Sequence, residues 1–280
     1  MRITITFAAL LMAVSAEASS GGTPTPFDLL DDGSLVVPVT IGGTGPYRFV
    51  IDTGSSRTVI TARLWQSLRR PVVAQTVMVT PAGRHLAYVV KLDDLTVGPL
   101  PAMNIEAAVV TADRYAGGQP IDGLIGQDVL ASAIYTIDYR QRVIVWHGPD
   151  DQLPGKRLAL DVRDRRVLVV LPQRDGDRKP LFLIPDSGSD ALVLFDHARD
   201  KLRMTLQDVD ILTSLSGVRL ARRAQVDKVI VGDACLQQSP AVIVDSGESA
   251  GAMGDGLLPL HVFSRVTFNV RERYLIVETR

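Results

Sequence analysis

Two short stretches of the chain each set a lone carboxylate between an apolar run and a glycine turn. One is "FVIDTGSSRTVI", Phe49 to Ile60, and the other is "FLIPDSGSDALVLF", Phe182 to Phe195. In both, apolar residues lead to Asp, then to a hydroxyl residue, Gly and Ser, before apolar residues resume. This pattern reads as a strand ending in a tight turn, with Gly54 and Gly188 permitting the bend and Asp52 and Asp186 left at its tip. The hydroxyls of Thr53, Ser55, Ser187 and Ser189 can donate to carboxylates or to a facing loop. One such acid is an ordinary turn residue. Two held close together could not both ionise cheaply, would share a proton, and could act as acid and base in one reaction.

The spacing ties the two stretches to a duplication. Asp52 and Asp186 lie 134 residues apart, as do Gly83 and Gly217, and Gly98 and Gly232. In that register "LTVG" (Leu95 to Gly98) overlays "VIVG" (Val229 to Gly232), and "AVV" (Ala108 to Val110) overlays "VIV" (Val242 to Val244). One residue is then lost, and "IDGLIGQDVL" (Ile121 to Leu130) overlays "GDGLLPLHVF" (Gly254 to Phe263). Asp122 and Asp255, matched before "GL", read as structural turn residues. A third "DSG", Asp245 to Gly247, is followed by no apolar strand, and its counterpart Thr111 is not acidic, so it is set aside.

The elements that must position these acids are mostly strands. Val, Ile and Leu recur in short stretches divided by Gly and Pro, and aromatic residues are only 5% of the chain, which favours an all-β fold. "SLVVPVTIGG" and "GPYRFVIDTG" predict a hairpin leading into the first acid; "TVMVTPAGRHLAYVVKLDDLTVG" predicts another, turning at Pro81 to Gly83. Short helices are expected at 62–70 and 196–203, which match across the repeat, and after each "DGL". The expected organisation is a leader at 1–18, a flexible lead-in at 19–26, a first half at 27–150, a linker at 151–155 and a second half at 156–280.

"VIDTGSS" and "IPDSGSD", each followed some seventy residues on by "GLIG" or "GLLP", resemble the paired active-site signature of aspartic proteases, pepsin-like and retropepsin-like. The resemblance covers nearly all of the chain after the leader. It implies two lobes related by a pseudo-twofold axis, with Asp52 and Asp186 as the catalytic dyad between them and no metal or organic cofactor. It further implies that Thr53 and Ser187 brace the two lobes, that Ser55 and Ser189 hydrogen-bond the carboxylates, and that Gly54 and Gly188 bring backbone amides near them. Candidate flaps are the hairpin turns at Pro81, Ala82, Gly83 and Arg84, and at Ser214, Leu215, Ser216 and Gly217. The expected partner is a peptide or protein in extended conformation, bound by a monomer as an added strand. Pro185 departs from symmetry because it has no N–H to give. It keeps open a second reading, a catalytically silent peptide-binding protein of the same fold.

Composition is consistent with this and narrows the partners. The 280 residues carry 31 acidic and 30 basic side chains, so no overall field selects nucleic acid or an anionic surface. "MRITITFAALLMAVSAEASS" has Arg2, an apolar stretch and the small-x-small Ala16 to Ala18, which predicts a secretory signal cleaved after Ala18 and a secreted or periplasmic product. No stretch approaches the ~20 apolar residues of a membrane helix, so no stable membrane insertion is expected. Cys235 is the only cysteine, which excludes an intrachain disulfide and a multi-thiolate metal site; no metal site is expected.

Overall fold

The computed structural model describes residues 22–111, 119–172, 179–214, 217–245, 247 and 253–280. The expected signal at 1–18, and Leu215 and Ser216 of the second candidate flap, lie outside the described residues.

The first half contains β1 (Thr23–Pro26), β2 (Asp28–Leu29), β3 (Leu35–Ile41), β4 (Thr44–Ile51), β5 (Val59–Thr61), α1 (Ala62–Leu68), β6 (Val72–Thr80), β7 (Gly83–Val97), β8 (Leu100–Val110), β9 (Gly123–Ile125), α2 (Gln127–Leu130), β10 (Ile134–Asp138) and β11 (Val143–His147). The second contains β12 (Leu158–Arg163), β13 (Arg166–Leu171), β14 (Leu181–Asp186), β15 (Leu192–Phe195), a 3₁₀ turn at Asp196–Lys201, β16 (Met204–Ser214), β17 (Gly217–Val231), β18 (Ala234–Val244), β19 (Gly256–Pro259), a 3₁₀ turn at Leu260–Val262, β20 (Arg265–Asn269) and β21 (Tyr274–Glu278). The fold is all-β with a few short helices. Helix α1 starts where the Thr61 hydroxyl accepts the Leu64 N–H and stops where Arg69 turns left-handed. Its counterpart at 196–201 tightens to 3₁₀.

The duplication is visible in the strand order. The first half runs β4-β9-β5-β8-β7-β6 and the second β14-β19-β15-β18-β17-β16. In each, the strand leading to the acid lies parallel to the "GL" strand, β4 to β9 and β14 to β19. Two small apolar clusters repeat the same correspondence. Val50, Val59, Ala87 and Ala108 form one, with Met78 against it; Ile184, Val193 and Ala221 form the other, with Leu212 and Val242 against it. Val50 and Ile184 alternate with Asp52 and Asp186 along their strands, so each cluster shares a sheet face with one acid.

The halves are joined by a sheet that neither could complete alone, ordered β1-β11-β10-β20-β21-β12. At its centre β10 and β20 run antiparallel, Thr136 opposite Thr267, their hydroxyls 2.7 Å apart. Tyr135 stacks on Phe268 beside them, with ring centroids 5.0 Å apart.

One expectation is corrected here. Residues 19–26 were expected to be a flexible lead-in, but Thr23–Pro26 is strand β1, paired antiparallel to β11. Pro24 and Pro26 cost nothing on an edge strand, where an N–H facing outward has no ladder partner to lose. Thr25 is buried and its hydroxyl accepts the Trp146 indole N–H at 2.8 Å, which anchors the strand.

Candidate active site

Strands β4 and β14 both end on the acids. The Asp52 amide continues the pairing of β4 with β9 by donating to the Ile125 carbonyl at 3.0 Å. Beyond it the chain turns so that the Gly54 and Ser55 amides point back at Asp52 Oδ1, at 3.0 and 2.9 Å. In the second copy the Gly188 amide donates to Asp186 Oδ1 at 2.7 Å.

Four hydrogen bonds lock the turns together. The Thr53 hydroxyl donates to the Pro185 carbonyl at 2.7 Å and accepts the Ser187 N–H at 3.0 Å. The Ser187 hydroxyl donates to the Ile51 carbonyl at 2.7 Å and accepts the Thr53 N–H at 3.1 Å. Both side chains are buried, so each bond also satisfies a backbone group that water cannot reach. Pro185 has no N–H, but the interlock uses its carbonyl, and the twofold relation survives the proline.

The interlock brings Asp52 and Asp186 into contact. A methyl group on Gly54 would stand 2.5 Å from Asp186 Cγ, so the first turn passes over the second carboxyl with no room for a side chain. The two carboxyl groups lie within side-chain interaction distance of each other. Loss of hydration raises the Asp52 pKa to about 6, opposed by the N–H groups of Ser55 and Gly54. Asp186 is more deeply buried, with 8% exposure, and its pKa stands well above the ordinary carboxylate range. Burial is the first cause and the neighbouring Asp52 charge the second; Asp190, four residues further along the chain, adds to the push. Burial and the Asp52 charge together favour the protonated form of Asp186.

Ser55 hydrogen-bonds Asp52 through its backbone N–H, whereas the side chains of Ser55 and Ser189 turn elsewhere. Their hydroxyls donate to the carbonyls of Arg57 and Ala191, at 2.7 and 2.8 Å, not to the acids. The turn geometry hands the Asp52 carboxylate the backbone amide of Ser55, which leaves the hydroxyl free to close the next bend.

Residues that sequence reasoning did not single out support the first turn from behind. Gln127 donates its side-chain N–H to the Thr53 carbonyl at 2.9 Å, and its amide donates to the Ser55 carbonyl at 2.8 Å. The Thr58 hydroxyl donates to Asp128 at 2.8 Å. In the second copy these positions are Leu260, Leu192 and His261, so the repeat carries no signal for them.

Asp122 and Asp255 hold the same place in the two halves. Asp122 accepts the Arg48 N–H at 2.8 Å and pairs with Arg63; Asp255 accepts the Phe182 N–H at 2.7 Å and pairs with Lys201 and His197. They tie the strand before each acid to the helix after it. Asp245 pairs with Arg219 at 3.8 Å.

The hairpins β6–β7 and β16–β17 turn at matched positions, with Gly83 and Gly217 at φ +137° and +141°. A methyl group on Gly217 would lie 3.9 Å from His85 Cε1, so the two hairpin ends meet. The first hairpin also crosses to the other half, where Val79 packs against the cluster of Ile184 and Leu168.

Among the described residues, no helix is long and apolar enough to cross a membrane. No curated protein matches the chain. A family model described as "Aspartyl protease" matches residues 37–129 and 174–262, one stretch around each acid.

Proposed function

The chain belongs to the aspartyl protease family and is an aspartic endopeptidase, and from that premise we propose that Asp52 and Asp186 are its catalytic dyad and that it acts outside the cytoplasm. The observation that carries the assignment is the Thr53–Ser187 interlock, with two touching carboxyl groups of unequal proton affinity at its centre.

Asp52, ionised as pH passes about 6, takes a proton from a water molecule whose oxygen adds to the scissile carbonyl carbon. Asp186 gives its proton to the carbonyl oxygen, so a neutral tetrahedral diol forms. The proton now on Asp52 passes to the amide nitrogen as the C–N bond breaks. The diol returns a proton to Asp186 as the new carboxyl group forms, and the pair regains its starting state.

In this reading the turns at 81–84 and 214–217 are flaps, and an extended peptide lies beneath them as an added strand. Its side chains meet the apolar clusters that share a face with each acid. Both lobes, 27–150 and 156–280 with a linker at 151–155, belong to one chain, so a monomer suffices. The leader pattern at 1–18 supports export to the periplasm or beyond.

The test is cleavage of an unfolded protein by the chain lacking residues 1–18, with and without pepstatin, beside Asp52→Asn and Asp186→Asn. Pepstatin-sensitive cleavage lost in both variants is expected. Activity surviving either substitution would sink the dyad, and peptide binding without cleavage would point to the silent binding protein.

A further inference from the structure

Arg166 opens strand β13, directly after a two-residue hairpin turn in which Asp164 and Arg165 both take left-handed φ values, 48° and 63°. A turn of this primed type is rigid and fixes the direction of the residue that follows. Arg166 is partly buried, and its Nη2 donates to the carbonyl of Val79 in the first hairpin at 3.1 Å. The Val79 side chain packs beside it on the cluster containing Leu168 and Ile184, the cluster that shares its sheet face with Asp186. A charged donor and an apolar contact near Val79 thus join a strand of the first half to the second half, below the tip where His85 and Gly217 meet.

The arrangement is one-sided. Val37 faces Phe49 as Val169 faces Leu183, so β3 and β13 correspond at an offset of 132, and the counterpart of Arg166 is Ser34. Ser34 is buried with its hydroxyl unpartnered, and its short side chain cannot span to the opposite hairpin. Burial disfavours the Arg166 charge, which is tolerated where a guanidinium gains a carbonyl in return.

We propose that Arg166 is a positioning residue that latches the first hairpin shut across the dyad and thereby sets the affinity for peptide. The effect on turnover rests on the proteolytic reading above; the tether itself does not. Closing the hairpin is part of forming the peptide complex, so a weaker latch lowers the population of the closed state and raises KM, by at most the same factor.

The test compares wild type with Arg166→Met, which keeps the bulk and removes the donors, and Arg166→Lys, which restores one. Hydrogen exchange of residues 72–90 should quicken about tenfold in Arg166→Met, the worth of one hydrogen bond from a charged donor, and recover in Arg166→Lys. KM should rise in Arg166→Met, by no more than that factor, with a smaller change in kcat. Unchanged exchange at 72–90 would overturn the latch, and faster exchange with unchanged KM would overturn its role in binding. If the wild-type chain cleaves nothing, the proteolytic reading fails, and exchange alone decides the tether.

Discussion

Thr53 and Ser187 exchange hydrogen bonds in both directions, each hydroxyl accepting the other residue's N–H and donating to the carbonyl two residues before its partner. Thr53→Val keeps the shape and strands the Ser187 N–H and the Pro185 carbonyl in a buried site. Two unsatisfied groups should cost about 2–4 kcal/mol, read as a lower urea midpoint at unchanged slope. Thr53→Ser should restore most of it.

The pH profile of kcat/KM follows from the two acids. Activity should rise as Asp52 ionises near pH 6 and fall when Asp186 loses its proton at higher pH. Asp190→Asn removes a charge that pushes Asp186 upward, so the falling limb should move to lower pH while the rising limb stays. A rising limb centred near pH 4 would contradict the burial argument.

Stability should show the same chemistry with the opposite outcome for the variant. Below the ordinary value of 3.8, folded and unfolded chains are both protonated at these sites, and the pair contributes no pH dependence. Above it the unfolded chain ionises while the folded chain still holds its protons, so wild-type stability falls as pH rises through about 6 and beyond. Asp186→Asn removes the Asp186 part of this loss and leaves the part due to burial of Asp52. Its Tm should exceed that of wild type by roughly 3 °C or more at pH 8, with the gap closing toward pH 4, although the variant is inactive.

Gly54→Ala tests the close approach of the two turns. The added methyl would press on the Asp186 carboxyl at 2.5 Å, so the carboxyl must shift. Displacement on the scale of an ångström should lower kcat by at least about a hundredfold. Circular dichroism should remain that of a folded β protein.

The matched acids Asp122 and Asp255 differ in burial, and their partners should differ in worth. Lys201→Met leaves the Asp255 side chain, 5% exposed, short of its main counter-charge, at a cost of about 3 kcal/mol. Arg63→Met removes a partner that is 61% exposed, and the cost should stay below about 1 kcal/mol. Denaturant midpoints of the two variants measure the difference.

The part of the fold that the sequence made legible is the part written twice. An offset held across acids, glycines and apolar runs becomes one strand order in both halves, and the same offset separates Thr53 from Ser187. The joining sheet was hidden because three of its pairings, β1–β11, β10–β20 and β12–β21, connect strands more than 100 residues apart, as between Thr23 and Trp146, and because "TPTP" reads locally as a loop. The roles of Ser55 and Ser189 were hidden for another reason. A turn of this spacing offers an amide and a hydroxyl at nearly the same place, and only coordinates show which one reaches the acid. Gln127 and Arg166 occur in one copy only, and each binds a backbone carbonyl, which carries no residue-type signature.

The joining sheet also governs when the enzyme can exist. A chain synthesised through residue 172 already carries Asp52, yet strand β10 then offers an unpaired edge where β20 belongs, and the second acid is absent. The last strands made, β20 and β21, close that edge and connect it to β12. A first half made alone therefore exposes the edge of β10 until β20 pairs with it.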